Sequence, residues 1–288
     1  MSVVTDEQSP GTASSGFNIR FPEARLNLDQ NEEWFEFDVN GRSRTLRIHD
    51  YADLYRVPGL YEALVYDKLA CKSPQRLAQL FAAVLTDWRI GADDLRVLDL
   101  GAGNGIAAEE FRKLGVHHFV GLDLLPEALL AADRDRPALY ADYLVTDLCS
   151  MSENNLTRLE QHGLNCLLTV AALGFDDIPP EAFGTAFNSI ARKGWLGMTI
   201  KENFLESDDE SGFARLIKGM IDQQIIEIQA HQRYCHRLSI TGERLCYMTV
   251  VARKTRDIPA SLLDQVAHRQ VTQVNGKTVE LTAMLLGG

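Results

Sequence analysis

The chain is short of the features that put a protein across a membrane, staple it with disulfides or fix it to phosphate backbones. No apolar run approaches the roughly 20 residues of a membrane-spanning helix, so no membrane partner is expected. Only five cysteines occur in 288 residues, at 71, 149, 166, 235 and 246, and none has C-x-x-C spacing. An odd set of this kind reads as reduced thiols, mostly in the core, in a reducing compartment. No His, Cys and acid cluster has ligand spacing, so no metal is expected. Positive charge is scarce: the net charge of −11 disfavours nucleic acid and acidic membranes as partners, leaving room for a local basic patch. Residues 1–16 are polar, with Asp6 and Glu7, and read as a disordered tail rather than a secretory leader. A cytoplasmic protein is the expectation. A hydrophobic fraction of 45% suffices for one large domain with additions.

The informative stretch is 96–105, RVLDLGAGNG. A short apolar strand, Arg96 to Leu100, runs into Gly101, Gly103 and Gly105 and then into a helical pattern. This unit lets backbone approach a ligand closely and aims free helical N–H groups at it. The next apolar run, Phe119 to Asp123, ends in an acid twenty residues after Gly103. That is where a nucleotide-binding fold places the carboxylate that grips a ribose hydroxyl. A dinucleotide site wants a third glycine at position 106, where Ile106 stands. A nicotinamide-dependent oxidoreductase is therefore the weaker reading.

The chain divides into a tail (1–16), a β-hairpin extension (17–49), a core domain (50–254) whose first part, 50–90, is helical, and a C-terminal extension (255–288). Trp34–Val39 and Ser43–Ile48 flank Asn40-Gly41, a strong hairpin signal. Pro58 is placed to open one helix, and Ser73-Pro74 to cap and open another. From 96 onward, strands and helices alternate. Strands are expected at 96–100, 119–123, 143–146, 165–170 and 195–200, and helices follow at Ala107, Pro126, residue 153, Pro180 and Ser211. Alternation of this kind gives a parallel sheet with helices on both faces. The last two strands, 225–237 and 244–254, are joined only through Thr241-Gly242 and must pair antiparallel. The expected fold is α/β: a doubly wound, seven-stranded, mostly parallel Rossmann-like sheet with an antiparallel terminal hairpin. A further hairpin about Asn275-Gly276 is expected in the C-terminal extension, and either added hairpin offers an edge for a homo-oligomer.

Asp99 followed by Gly101, Gly103 and Gly105 resembles the first motif of the class I S-adenosylmethionine-dependent methyltransferases, and the six strands with a hairpin seventh resemble their layout. The resemblance implies S-adenosyl-L-methionine as cofactor. It sets Asp99, with its carboxylate suited to the ammonium or sulfonium, before a turn made of Gly101, Ala102, Gly103, Asn104 and Gly105. Asp123 matches the ribose-binding acid, and Leu124 would lie against the adenine. Asp147 either accepts from the adenine amino group, with Leu148 beside it, or is a helix cap. Val170 and Ala171 would line the methyl-donor pocket. Tyr51, Tyr55, Tyr61 and Tyr66 crowd into the segment ahead of the first strand, where many members carry an aromatic lid; Tyr55 and Tyr61 are the candidates for it.

Methyl transfer is an in-line displacement at carbon, driven by holding donor and acceptor in near-attack geometry. An oxygen or nitrogen acceptor can also need a base. Candidates are Asp176, Asp177, Lys201 and Glu202 at the strand ends, and His231, Tyr234 and His236 on the hairpin. His231 and His236 are five apart and lie on opposite faces of a regular strand, so at most one faces the site. The chain has no Asn/Asp-Pro-Pro-Tyr or Pro-Cys after the fourth strand and no evident Lys-Asp-Lys-Glu tetrad. With an acidic chain, this favours a small-molecule acceptor; a protein side chain stays open. The non-enzyme alternative is a regulatory protein that keeps the cofactor fold without turnover.

Overall fold

The computed structural model describes residues 16–22, 28, 30–173, 178–202 and 212–270, the last four without their side chains. The N-terminal extension is an antiparallel sheet of β1 (Ile19–Arg20), β2 (Trp34–Val39) and β3 (Arg42–Arg47). Asn40 and Gly41 join β2 to β3 at φ 51° and 73°. Both are left-handed, as a two-residue hairpin turn requires. β1 is too short to leave a sequence pattern. Phe35, Phe37 and Leu46 pack this sheet onto the helical segment that follows and onto Ile240.

That segment is helical with shifted boundaries. α1 (Tyr51–Arg56) precedes Pro58. Pro58 does not open a helix; Gly59, at φ 77°, is the left-handed residue before α2 (Leu60–Glu62), which continues as a π-helical turn, Ala63–Lys68. α3 (Ser73–Trp88) begins at Ser73, with Lys72 in the cap position and no side-chain cap. Ser73 is therefore not the cap that its place before Pro74 suggests. Its hydroxyl is engaged elsewhere, as described below.

The central unit runs β4 (Arg96–Leu100), α4 (Ile106–Lys113), β5 (His118–Asp123), α5 (Pro126–Asp135), β6 (Asp142–Val145), α6 (Glu153–Gln161), β7 (Cys166–Thr169), α7 (Pro180–Asn188), β8 (Trp195–Lys201), α8 (Phe213–Asp222), β9 (Ile226–Leu238) and β10 (Arg244–Lys254). The sheet order is β6-β5-β4-β7-β8-β10-β9. β4 to β8 are mutually parallel, and β10 pairs antiparallel with both β8 and β9. This is the doubly wound Rossmann-like sheet with a terminal hairpin. α7 stops at Asn188, where the Lys254 ammonium donates to the carbonyls of Phe187 and Ile190 at 2.7 Å.

Strand alternation divides the core. Val97, Phe119, Leu168 and Val251 meet Phe81 of α3 and Phe111 of α4 on one face. Leu98, Leu100, Leu122 and Leu196 meet Phe183, Phe187 and Phe213 on the other. A helix the sequence did not announce, α9 (Ala260–Gln270), covers that second face. It fits because its neighbours are glycines: a Cβ on Gly184 or Gly219 would lie 2.8 or 2.6 Å from Leu263 or Leu262. Gly212, at φ 87°, precedes α8; Ser211, the expected start of this helix, lies outside the described residues. So do residues 1–15 of the expected tail and the hairpin at Asn275-Gly276.

Candidate functional site

Strand order reverses between β4 and β7, because β5 and β7 lie on either side of β4. Neighbouring loops diverge there and leave a crevice beyond the strand ends. It is a cavity of about 650 Å³, inside the roughly 300–1,000 Å³ range of small-molecule sites. Gly101, Asp123, Leu124, Asp147, Leu148, Val170 and Ala171 line it from the strand ends, and Tyr51, Tyr55 and Tyr61 line it from the helical segment.

The turn after β4 is tightly built. Gly101, Gly103 and Gly105 have φ of 70°, 52° and 88°, values that L side chains adopt only at a cost. A Cβ on Gly101 would stand 2.8 Å from the Ala172 Cβ, and one on Gly103 would stand 2.4 Å from the Tyr55 hydroxyl. Tyr55 thus rests directly on the turn. The Asp123 carboxylate accepts from the Gly103 N–H at 2.9 Å and the Leu125 N–H at 3.0 Å. The Leu124 N–H adds to these bonds, so the carboxylate is fixed by three backbone N–H groups. Burial raises the Asp123 pKa and outweighs these backbone bonds. Tyr143 donates to the Gly103 carbonyl at 2.9 Å and fixes the turn from below.

Asp99 is turned away from the cavity. It lies on the same face of β4 as Val97 and is 1% exposed. There it accepts a 2.8 Å bond from Tyr140, and burial pushes its carboxyl up to about 7. Ala102, Asn104 and Gly105 also lie off the cavity wall. Asn104 donates to Glu62 at 2.9 Å, and Gly105 is covered by Leu139, Tyr140 and Arg136. Tyr140 and Tyr143 support the turn, and sequence reasoning did not single them out. Gly121 was their one signal, since its missing Cβ leaves the space that Tyr143 fills.

Asp147 is the cap of its second expected reading, and its place on the cavity wall leaves the adenine reading open. It faces the cavity, and it caps a short 3₁₀ turn by accepting from the Cys149 N–H at 2.8 Å. Leu124, 60% exposed, and buried Leu148 add apolar surface to the same cavity. Ala171 is left-handed at φ 54°, an uncommon state for a residue with a Cβ. Its N–H donates to the Thr199 hydroxyl at 2.7 Å.

A second, smaller cavity of about 60 Å³ abuts the first, and His49, Tyr51, Tyr61, Val170 and Ala171 wall both. His236 lines it. The side chain of Ser73 bridges Tyr234 and His236, with its Oγ 2.5 Å from the Tyr234 hydroxyl and 2.6 Å from His236 Nδ1. The His236 ring stacks on Tyr247, centroids 4.1 Å apart, and burial holds its pKa well below the ordinary range. β9 carries an extra residue here: Cys235 and Arg237 face Cys246 and Leu245, and His236 has no partner. Such a bulge re-aims a side chain. His231 is exposed on the same strand opposite Val250 and lines neither cavity. Glu202 is bound to Arg233 at 2.8 Å, and it and Lys201 lie outside both cavity walls. Asp176 and Asp177 lie outside the described residues.

Among the described residues, no group of three or more His, Cys, Asp or Glu side chains is placed to hold a metal, and no helix is long and apolar enough to cross a membrane. No family model and no curated protein matches the chain. Solved structures do resemble it. The N-methyltransferase NodS from Bradyrhizobium japonicum, in complex with S-adenosyl-L-homocysteine, matches at 14% identity and a TM-score of 0.46, covering 71% of this chain and 97% of that one. The magnesium protoporphyrin IX methyltransferase of Synechocystis, with bound S-adenosylmethionine, matches at 13% identity and 0.44, covering 63% and 79%. A ribosomal protein methylase from Lactobacillus delbrueckii matches at 17% and 0.41, covering 64% and 79%. The chain is structurally similar to S-adenosylmethionine-dependent methyltransferases and shares their Rossmann-like sheet.

Proposed function

We propose that the chain is an S-adenosylmethionine-dependent methyltransferase acting on a small molecule. One observation carries the reading. The cavity at the strand-order reversal is lined by a left-handed glycine turn, a strand-end carboxylate fixed by backbone N–H groups, a second acid and two leucines. That set suits a nucleoside. Asp123 would take the ribose hydroxyls, Leu124 and Leu148 would flank the adenine, and Asp147 would accept from its amino group. Gly101 and Gly103 would pass beneath the methionine portion.

S-adenosylmethionine, when bound, supplies an electrophilic methyl group. The residues do the rest by positioning. Tyr51, Tyr55 and Tyr61 form the cavity wall opposite the strand ends. Their rings exclude water and present π faces toward positive charge. Burial raises the pKa of Tyr55 and Tyr61, so both stay neutral. Val170 and Ala171, shared with the smaller cavity, stand where donor and acceptor would meet.

Calorimetry tests the reading. S-adenosylhomocysteine should bind and NAD should not. Asp123→Ala should weaken binding by roughly tenfold or more, since a hydrogen bond to a charged group contributes about 1.5–3 kcal/mol. NAD binding without a response to S-adenosylhomocysteine overturns it.

A further inference from the structure

The smaller cavity, about 60 Å³ and so able to take the hydroxyl end of an acceptor whose ring lies in the larger one, has the parts of a proton-accepting site, and the inference rests on the methyltransferase reading above. Three elements distant in sequence converge there. α3 brings Ser73, bulged β9 brings His236, with Tyr234 bonded to Ser73 outside the cavity lining, and β10 brings Tyr247. His236 is 5% exposed, and Ser73 is fully buried. Burying a polar side chain costs free energy unless it is hydrogen-bonded. Ser73 is bonded to Tyr234 and His236, and His236 is bonded through Nδ1 only. Among the described residues, Nε2 of His236 has no hydrogen-bond partner.

The direction of this chain decides the chemistry. A neutral imidazole has one N–H and one lone pair, and the bond made by one nitrogen sets the role of the other. If Nδ1–H donates to Ser73, and Ser73 donates to Tyr234, the lone pair on Nε2 faces the cavity. The surroundings define what it would meet. Among the described residues, no carboxylate lines this cavity. Its Arg237 is already paired with buried Glu33 at 2.6 Å. A cationic ammonium would find no counter-charge. The rings of Tyr51 and Tyr61, which wall both cavities, suit an uncharged acceptor whose bulk lies in the larger one.

We propose that His236, as the Nδ1–H tautomer oriented by Ser73 and Tyr234, is the general base for methylation of a compact uncharged hydroxyl compound, a phenol being the simplest case. The acceptor oxygen forms the bond to the methyl carbon with its own electron pair. The carbon–sulfur bond breaks, and its electrons stay on sulfur, which becomes a neutral thioether. The hydroxyl proton passes to Nε2. The positive charge thus moves from sulfur to imidazole, and the site gains none overall. Water then takes the proton when product leaves.

The test uses the full chain with nitrogen-labelled histidine, S-adenosylhomocysteine, and phenol or benzylamine as probes. In the nitrogen spectrum, the His236 signal should show the proton on Nδ1, and phenol should shift Nε2 where benzylamine does not. With S-adenosylmethionine in place of its product, phenol should yield anisole, detected by mass. His236→Gln should lower that turnover at least a hundredfold while the affinity for S-adenosylhomocysteine stays within about twofold. Should His236→Gln fail to fold, Ser73→Ala carries the test: it should move the tautomer balance and lower turnover about tenfold, again at unchanged cofactor affinity. A proton on Nε2, preference for benzylamine, or full turnover in either variant overturns the proposal. Absence of S-adenosylhomocysteine binding removes the methyltransferase reading itself, a separate failure visible before any acceptor is added.

Discussion

Asp99 shows how one position in a strand sets a residue's chemistry. The carboxylate expected beside a bound cation is instead sealed beneath the sheet against Tyr140. Burial disfavours its charged form, so the folded chain keeps the proton up to about pH 7. The unfolded chain loses it near about pH 4. The folded state therefore binds more protons between those values. The stability this contributes is complete below about pH 4 and is lost as pH rises through 7. Asp99→Asn stays neutral throughout and still accepts from Tyr140. Its melting temperature, relative to the parent, should climb between pH 5 and pH 8, by the equivalent of about 3 kcal/mol. Parallel melting curves across that range would show that Asp99 is ionised in the fold.

Among the elements, α1 and the turn after it bring the aromatic wall to the cavity. Tyr55 rests on Gly103, stacks with Tyr51 and meets Tyr61 at 5.0 Å between centroids. α5 holds α1 through Ala128 and Ala131 against Tyr55 and through the Arg134 bond to the Tyr55 carbonyl at 2.9 Å, while Leu54 is buried in the cluster beneath the N-terminal sheet. A nucleoside held beneath these rings would give them a second surface to pack on. Amides of residues 51–66 should exchange at least tenfold more slowly once S-adenosylhomocysteine is bound. Equal exchange with and without it would mark the tyrosines as fixed packing.

At the scale of the whole molecule, the N-terminal sheet and the terminal hairpin are tied by one buried ion pair. Glu33 accepts from Arg237 at 2.6 Å and from the Ile240 N–H at 2.7 Å, with both side chains at most 4% exposed. Removing one partner strands the other charge without water. Glu33→Ala should cost about 3–5 kcal/mol, read as a fall in the denaturant midpoint. Glu33→Ala with Arg237→Met should recover most of it, because the stranded charge is then gone. No recovery would mean that the loss came from the Ile240 bond and packing.

The sequence by itself determined the alternating strands and helices of the central sheet, the antiparallel hairpin at its end and the Asn40-Gly41 turn. These depend on local signals: hydrophobic period, glycine where φ is positive, and too few residues for a crossover. It did not determine α9, because that helix is held by glycines on α7 and α8 rather than by a strong pattern of its own. It placed Ser73 as a helix cap from its neighbour Pro74, and the tertiary structure gave its hydroxyl to Tyr234 and His236 instead. It set His231 and His236 on opposite faces without telling which face is inward; the seating of β9 and β10 against α3 turned His236 toward Ser73 and left His231 exposed. The glycine turn was readable because backbone geometry restricts which residues can stand there. Which of its side chains face the cavity was decided only when β4 was seated in the sheet, since alternation points Asp99 to one face and the turn to the strand end.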